Sequence, residues 1–242
     1  MQAAIEHFPT HGIKRVDAVV LTHSHADACF GMDDLRALCT VLPRGHALPV
    51  YLRQADLDVM QGPFGYLMPQ AQHERYVAKL DFRVFEPSQP LSVQGLTLIP
   101  LEVEHGAGYT SLGYAFGNVV YISDLNRIYE HTRELLMTRY KHASLPQNAT
   151  EDERLQWNED TRIPMGTLVI DALYPEEPYP SHYSLLQAVD EAKIWRPAQT
   201  LTVGMAHQLN HHSDNKKLAS LIESENLSVA LAYDGQLIRI TL

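Results

Sequence analysis

One stretch constrains the fold of this chain more than any other. It runs from Val16 to Arg36 and reads Val-Asp-Ala-Val-Val-Leu-Thr-His-Ser-His-Ala-Asp-Ala-Cys-Phe-Gly-Met-Asp-Asp-Leu-Arg. Its apolar run, Ala18 to Leu21, has the length and β-branched content of a buried strand. The run stops at Thr22, and three metal-ligand side chains follow at alternate positions: His23, His25 and Asp27. Gly31 then breaks the chain, and Asp33-Asp34-Leu-Arg-Ala-Leu reads as the first turns of a helix, with acids at its positive end. Two imidazoles and a carboxylate therefore sit on a strand-to-helix loop, where side chains converge without the chain crossing itself. Imidazole with carboxylate suits zinc, iron or manganese, and a ligand set without cysteine is not that of a closed structural zinc site.

The same event recurs along the chain: a predicted strand ends on a candidate ligand. Residues 96–104 read as a strand that runs into His105-Gly106. A hairpin follows, with strands Tyr109–Phe116 and Val119–Ser123 around Gly117-Asn118, and it delivers Asp124. Thr167–Leu173 ends on Asp171, and Thr200–Ala206 delivers His207. His182 lies on a proline-rich loop just before a helix from Ser184 to Trp195. Strand ends are where scaffolds place chemistry.

The remaining pattern fills in an α/β chain. A helix tail is expected over residues 1–15, a short strand at Pro49–Leu52, helices around 53–60 and 69–80, and a strand at 82–86. Residues 128–140 read as helical, and the polar stretch 143–162 reads as an insertion or mobile loop. A helix from about Asp214 to Glu225, capped by Ser213 or Asp214, precedes two strands at 228–233 and 236–242 joined at Asp234-Gly235. Consecutive strands in the middle and alternating elements towards the end fit two sheets between helices, as one domain over 1–242.

Leu21-Thr-His-Ser-His-Ala-Asp27 resembles the signature of the metallo-β-lactamase fold, whose full form is His-x-His-x-Asp-His. The extension to Arg36 is similar to one branch, the phosphoribosyl cyclic phosphate phosphodiesterases and their plant and fungal relatives. The terminal Ala-Tyr-Asp-Gly-Gln-Leu resembles that branch as well. The resemblance implies an αββα sandwich of two mixed sheets flanked by helices. It implies that His23, His25 and His105 hold a first metal, that Asp124 bridges two metals, and that Asp27 and His207 serve the second. His182, in Pro-Ser-His-Tyr-Ser-Leu, falls where the branch keeps a histidine that protonates the leaving group, and Asp171 is placed to orient a ligand histidine.

Two departures stand out. Ala28 occupies the position of the signature's last histidine, so the second metal site is expected to be weaker, with water or His211 to complete it. Family members also carry several strands before the His-x-His strand, and the short stretch here implies an N-terminally shortened fold with an exposed sheet edge.

Composition narrows the function. A net charge of −10 argues against a nucleic-acid partner, and with it an RNA-processing nuclease. Two cysteines, Cys29 and Cys39, are too few for a disulfide scaffold, no apolar run reaches transmembrane length, and no signal peptide precedes the first motif, so a cytoplasmic protein is expected. The expected cofactor is a divalent metal, zinc before manganese or iron, at one or two ions per chain. The expected partner is a small-molecule substrate, with no nucleic acid and no membrane, and a homodimer is compatible with this. The leading expectation is a metallo-hydrolase cleaving a small, cyclic or open, phosphodiester. The alternatives are a thioester or ester hydrolase of the same superfamily, and a non-catalytic domain with an impaired second metal site.

Overall fold

The computed structural model describes residues 2–43, 45–68, 77–145 and 148–242. The chain divides into two compact units, Met1–Thr97 with Asp234–Gln236, and Leu98–Tyr233 with Leu237–Leu242. Each carries a main sheet flanked by helices, in a mixed α/β architecture, and the second also has a separate two-stranded parallel pair formed by Tyr140–Lys141 and Ile163–Pro164.

The first unit holds helix α1 (Gln2–His7), strand β1 (Val19–Val20), helices α2 (Ala26–Cys29) and α3 (Leu35–Cys39), strand β2 (Leu48–Leu52), helix α4 (Gln54–Met60), and strands β3 (Leu80–Val84) and β4 (Leu91–Val93). Strands β1, β2 and β3 form a parallel sheet in that order. Every residue of β2 is buried, as expected for the middle strand of a parallel sheet.

The helix expected from Asp33 is present as α3, but two helical pieces precede it where a loop and a break at Gly31 were expected: α2, and a 3-10 turn at Phe30–Met32. The reason is the apolar spacing. Cys29, Met32 and Leu35 recur every three residues and are all buried in the unit's core, so the chain stays helical through Gly31. Asp27 accordingly sits in the first turn of a helix rather than on a loop. Strand β3 also begins two residues earlier than expected, and most of the helix expected over 69–80, including His73, lies outside the described residues.

The second unit runs through strands β5 (Leu96–Glu104, which begins at the boundary), β6 (Thr110–Phe116), β7 (Val119–Ile122) and β8 (Arg127–Ile128), helix α5 (Glu130–Arg139) and strand β9 (Tyr140–Lys141). It continues with helix α6 (Glu151–Glu159), strands β10 (Ile163–Pro164) and β11 (Thr167–Asp171), helix α7 (Leu185–Trp195), strand β12 (Gln199–Val203), helix α8 (His211–Glu225) and strand β13 (Val229–Leu231). The sheet order is β13-β12-β11-β7-β6-β5, with β8 paired to β5. Strands β13, β12, β11 and β7 are mutually parallel, and the hairpins β5–β6 and β6–β7 are antiparallel. Two antiparallel steps restore direction, so β5, β7, β11 and β12 all run the same way. Their C-terminal ends line one edge of the sheet, where open α/β sheets place ligands.

Helix α7 shows why its position is well determined. Leu185, Ala188, Val189, Ala192 and Trp195 are buried at helical spacing, and Ser184 and Gln187 form a capping box at its start. The stretch 143–162, read as a loop, contains α6, opened by a second capping box between Thr150 and Glu153. The helix α8 starts earlier than expected, with Asn210 as its cap, accepting from Ser213 N–H at 2.9 Å. Residues 236–242 form no strand. Leu237, Ile240 and Leu242 are exposed, so their alternation buries no face. Instead Asn118 exchanges two hydrogen bonds with the Thr241 backbone, at 3.0 and 3.1 Å.

The cysteines are not bonded to each other. Each thiol donates to a carbonyl, Cys29 to Ser24 at 3.3 Å and Cys39 to Lys79 at 3.4 Å. Among the described residues, no helix is long and apolar enough to cross a membrane.

Candidate metal centre

In the first unit, Leu21 N–H donates to Tyr51 O at 2.9 Å and carries the β1–β2 pairing up to the motif. His23 is fully buried, with its Nδ1 2.9 Å from Thr22 Oγ1. His25 is exposed, takes the extended conformation that precedes α2, and meets the His23 ring edge-on at 4.7 Å between centroids. Asp27 is exposed in the first turn of α2, and Ala28 N–H donates to His25 O at 3.1 Å. The two imidazoles are thus adjacent, while Asp27 and position 28 are fixed by the helix rather than by the strand.

In the second unit, His105 follows β5 and is buried at 3% exposure. A tight turn, His105-Gly-Ala-Gly-Tyr109, holds it: His105 N–H donates to Tyr109 O at 2.8 Å, and Gly106 and Gly108 have φ of +91° and +73°. Side chains rarely adopt these values, so glycine is required at both positions. Asn126 Oδ1 accepts from Gly106 N–H at 2.9 Å. His105 Nδ1 lies 2.6 Å from Ser181 O, which fixes it as the protonated nitrogen and leaves Nε2 as the donor for a ligand.

Asp124 follows β7 by two residues. Its Oδ2 accepts from Ser123 Oγ at 2.5 Å, and Ser111 Oγ donates to its backbone carbonyl at 2.6 Å. Asp171, the last residue of β11, has no exposed surface. Its Oδ2 accepts from His182 Nδ1 at 2.7 Å and from Leu125 N–H at 3.2 Å. Its Oδ1 has no hydrogen-bond partner among the described residues. Burial pushes the Asp171 carboxyl up to about 6. The His182 imidazole and the Leu125 N–H pull against that rise, and the Asp124 charge adds to it.

His105, Asp124 and His182 each offer a ligand atom within 4.8 Å of the others. The ring of His182 lies edge-on to that of His105, at 4.7 Å between centroids. The sequence places His182 on a proline-rich loop and gives it no partner. Instead Asp171 grips it from behind, and its side chain is only 18% exposed. The segment around it is held as well: Leu173 N–H donates to Tyr183 O at 2.8 Å, and Tyr174 bridges to Ser184. Two imidazoles and a carboxylate within one ion's reach form a donor set that suits zinc, manganese or iron.

His207 lies on the segment between β12 and α8. Strand β12 stops at Val203, four residues short of it, and His207 is exposed. His211 opens α8, with Nε2 3.0 Å from Leu231 O and its ring against Tyr233. Sequence reading missed Ser111, Ser123, Asn126 and Ser181, which fasten the site. Polar residues of these types beside strand ends carry no distinguishing local pattern. Gly204 was missed too. It has φ of +78°, and a Cβ there would come 2.9 Å from Asp171 Oδ1.

A family model described as the β-lactamase superfamily domain matches residues 2–205, most of the chain, and the chain belongs to that family. Its fold is that of the metallo-β-lactamase hydrolases, which implies divalent metal binding. Among solved structures, a new diphosphatase from the PhnP family is 26% identical, with a TM-score of 0.73 over 98% of this chain and 77% of that one. The metallo-β-lactamase fold protein YhfI from Bacillus subtilis is 21% identical, at TM-score 0.59 over 91% of this chain and 77% of that one. Human tRNase Z, short form, is 13% identical, at TM-score 0.57 over 93% and 80%. A curated relative, an octanoyltransferase of Porphyromonas gingivalis (strain ATCC BAA-308 / W83), is 27% identical over 208 residues. That match covers 86% of this chain but only 36% of the relative's length.

Proposed function

We propose that this protein is a metal-dependent phosphodiesterase acting on a small-molecule phosphodiester, a cyclic one included. The proposed ligands are His23, His25 and His105 for one ion, with Asp124 shared and Asp27 and His207 on a second, weaker site. Zinc is the proposed metal and the cytoplasm the proposed location, with a small-molecule substrate and neither nucleic acid nor membrane as partner. When bound, a divalent metal supplies Lewis-acid chemistry: it polarises a phosphoryl oxygen and lowers the pKa of water to roughly 7.

The observation that carries the reading is the Asp171–His182 pair beside His105 and Asp124. Asp171 accepts the Nδ1 proton of His182, so a second proton is carried on Nε2, on the side facing Asp124 and His105. The buried carboxylate stabilises the imidazolium, and the pair acts as one proton store. As a water oxygen bonds to phosphorus and gives up a proton to solvent, the P–O bond to the leaving alcohol breaks, its electron pair stays on that oxygen, and that oxygen takes the Nε2 proton. His105 and Asp124 are pre-oriented by Ser181 and Ser123, so no reorganisation is needed to present their ligand atoms.

The distance of His182 from His105 and Asp124 favours a second reading, in which His182 is itself a ligand. The two roles separate by leaving group. As general acid, His182→Ala slows an alkyl diester by about 10²–10⁴-fold, spares bis(p-nitrophenyl) phosphate, whose leaving group needs no proton, and keeps its metal. As ligand, the same substitution lowers metal content and slows both substrates together. The octanoyltransferase relative raises acyl chemistry as an alternative to phosphoryl chemistry. Turnover of an aryl thioester but not of bis(p-nitrophenyl) phosphate by the metal-loaded protein would replace phosphodiesterase with that alternative. Asp124→Ala should abolish either activity. Retention of alkyl-diester turnover in both Asp124→Ala and His182→Ala would refute the mechanism.

A further inference from the structure

Beside His182 lies a cavity of about 550 Å³ that the proposed chemistry does not use. Its lining includes Tyr174, Glu176, Glu177, Tyr179 and Gln208, together with two prolines. The Tyr174 and Tyr179 rings meet edge to face at 5.4 Å, and the Tyr179 ring lies 6.2 Å from that of His182. The cavity is therefore next to the group that would protonate a leaving alcohol. No lysine or arginine is among its described lining residues.

A site built for phosphodiesters faces anions, so this lining is the wrong chemistry for more phosphate. Two carboxylates repel an anionic extension of the substrate. An aromatic ring attracts a cation over its face, and a weakly hydrated alkylammonium most of all, and two tyrosines line this cavity. Glu176 also lines the neighbouring cleft with Lys217 and Asp214, which offsets part of its charge. Glu177 lines this cavity and not that cleft. The rigid frame comes from Pro175 and Pro178, which restrict the backbone on either side of the two acids.

We infer that this cavity is a recognition pocket for the leaving alcohol, and that the alcohol carries an alkylammonium group. The inference rests on the phosphodiesterase reading for the alcohol's place in the reaction. The ammonium site itself stands on the cavity alone. Charge separation explains the fit: the phosphoryl group sits with the metal ligands, and the cation one short chain away sits between Tyr179 and Glu177.

The test is direct binding by calorimetry, choline against its neutral isostere 3,3-dimethylbutanol. Choline is expected to bind at least about tenfold tighter, since two aromatic rings and a carboxylate contribute here. Tyr179→Leu and Glu177→Gln, both at exposed positions, should each weaken choline about threefold and leave dimethylbutanol binding within twofold. Equal binding of the two probes, or choline binding indifferent to both substitutions, overturns the inference. Turnover of bis(p-nitrophenyl) phosphate without choline binding removes the pocket and leaves the phosphodiesterase standing. Choline binding by a metal-loaded protein that turns over no phosphodiester keeps the ammonium pocket and removes that reading. Activity on glycerophosphocholine against phosphatidylcholine vesicles separates a soluble alcohol from a lipid headgroup, and either supports the ammonium chemistry.

Discussion

Glu191 offers the sharpest test of how this protein holds its chemistry in place. It lies on the buried side of α7, with its side chain 5% exposed, and accepts four hydrogen bonds. Arg133 of α5 approaches as a fork, with Nη1 to Oε2 at 3.0 Å and Nη2 to Oε1. Tyr183 OH donates to Oε1 at 3.0 Å and Trp195 Nε1 to Oε2 at 2.9 Å. Burial and the neighbouring Glu191 charge push the Tyr183 phenol well above its usual range, so it remains a donor throughout the working pH.

Glu191→Gln keeps the shape and removes the charge. One carboxylate oxygen becomes an NH₂: at Oε2 it faces the Arg133 and Trp195 N–H groups and two bonds are lost, and at Oε1 it faces Arg133 N–H and a Tyr183 hydroxyl that must turn round to accept. Each unsatisfied buried donor costs ~1–3 kcal/mol, and breaking a buried ion pair costs ~3–5 kcal/mol. The Arg133 side chain is 22% exposed, so water relieves part of the loss and the lower end applies, about 3 kcal/mol. Urea unfolding at neutral pH measures it. In a double-mutant cycle with Arg133→Met, the pair should lose less than the sum of the single losses, because removing both partners leaves no stranded charge. A loss under about 1 kcal/mol for Glu191→Gln, or strict additivity in the cycle, would refute the reasoning. Because Tyr183 adjoins His182, the variant should also lower turnover of an alkyl diester at temperatures where it is still folded.

Three further outcomes are expected. Ala28→His, which restores the missing imidazole of the signature, should raise affinity for a second metal ion by about tenfold or more in a competitive titration, and an unchanged stoichiometry and affinity would remove the idea that position 28 limits that site. The folded Asp171 carboxyl, at about 6, binds its proton more tightly than the unfolded one at 3.8, so the metal-free protein should lose up to about 3 kcal/mol as pH rises from ~4 through ~6, and Asp171→Asn should flatten that loss; parallel pH profiles for the two proteins would contradict it. Gly204→Ala combines a positive φ with a Cβ 2.9 Å from Asp171 Oδ1, so it should destabilise by roughly 1–3 kcal/mol and disturb the His182 titration seen by NMR, whereas an unshifted His182 signal would show that Asp171 does not move.

Much of this protein was legible in its sequence. The strand ends at His105, Asp124 and Asp171 were readable because β-branched runs and turn residues are local signals. The helix over 151–159 was equally readable, since Thr150-x-x-Glu153 is a capping box; the polar composition drew attention away from it. The false strand at 236–242 shows the reverse failure. Alternation marks a strand only when one face is buried, and burial is not a local property.

What tertiary structure decided is which polar groups meet. Nothing local pairs Asp171 with His182, Ser181 with His105, or Arg133 with Glu191, which are 11, 76 and 58 residues apart. Those pairings follow from sheet order: two antiparallel steps align β7 and β5 with β11, and α7 then returns along the same sheet. The sequence by itself determined the inventory of candidate ligands and the strands that carry them, because side-chain chemistry and backbone periodicity are encoded within a few residues. Their protonation, orientation and mutual distances were left to the fold, because burial and hydrogen bonding depend on residues far along the chain.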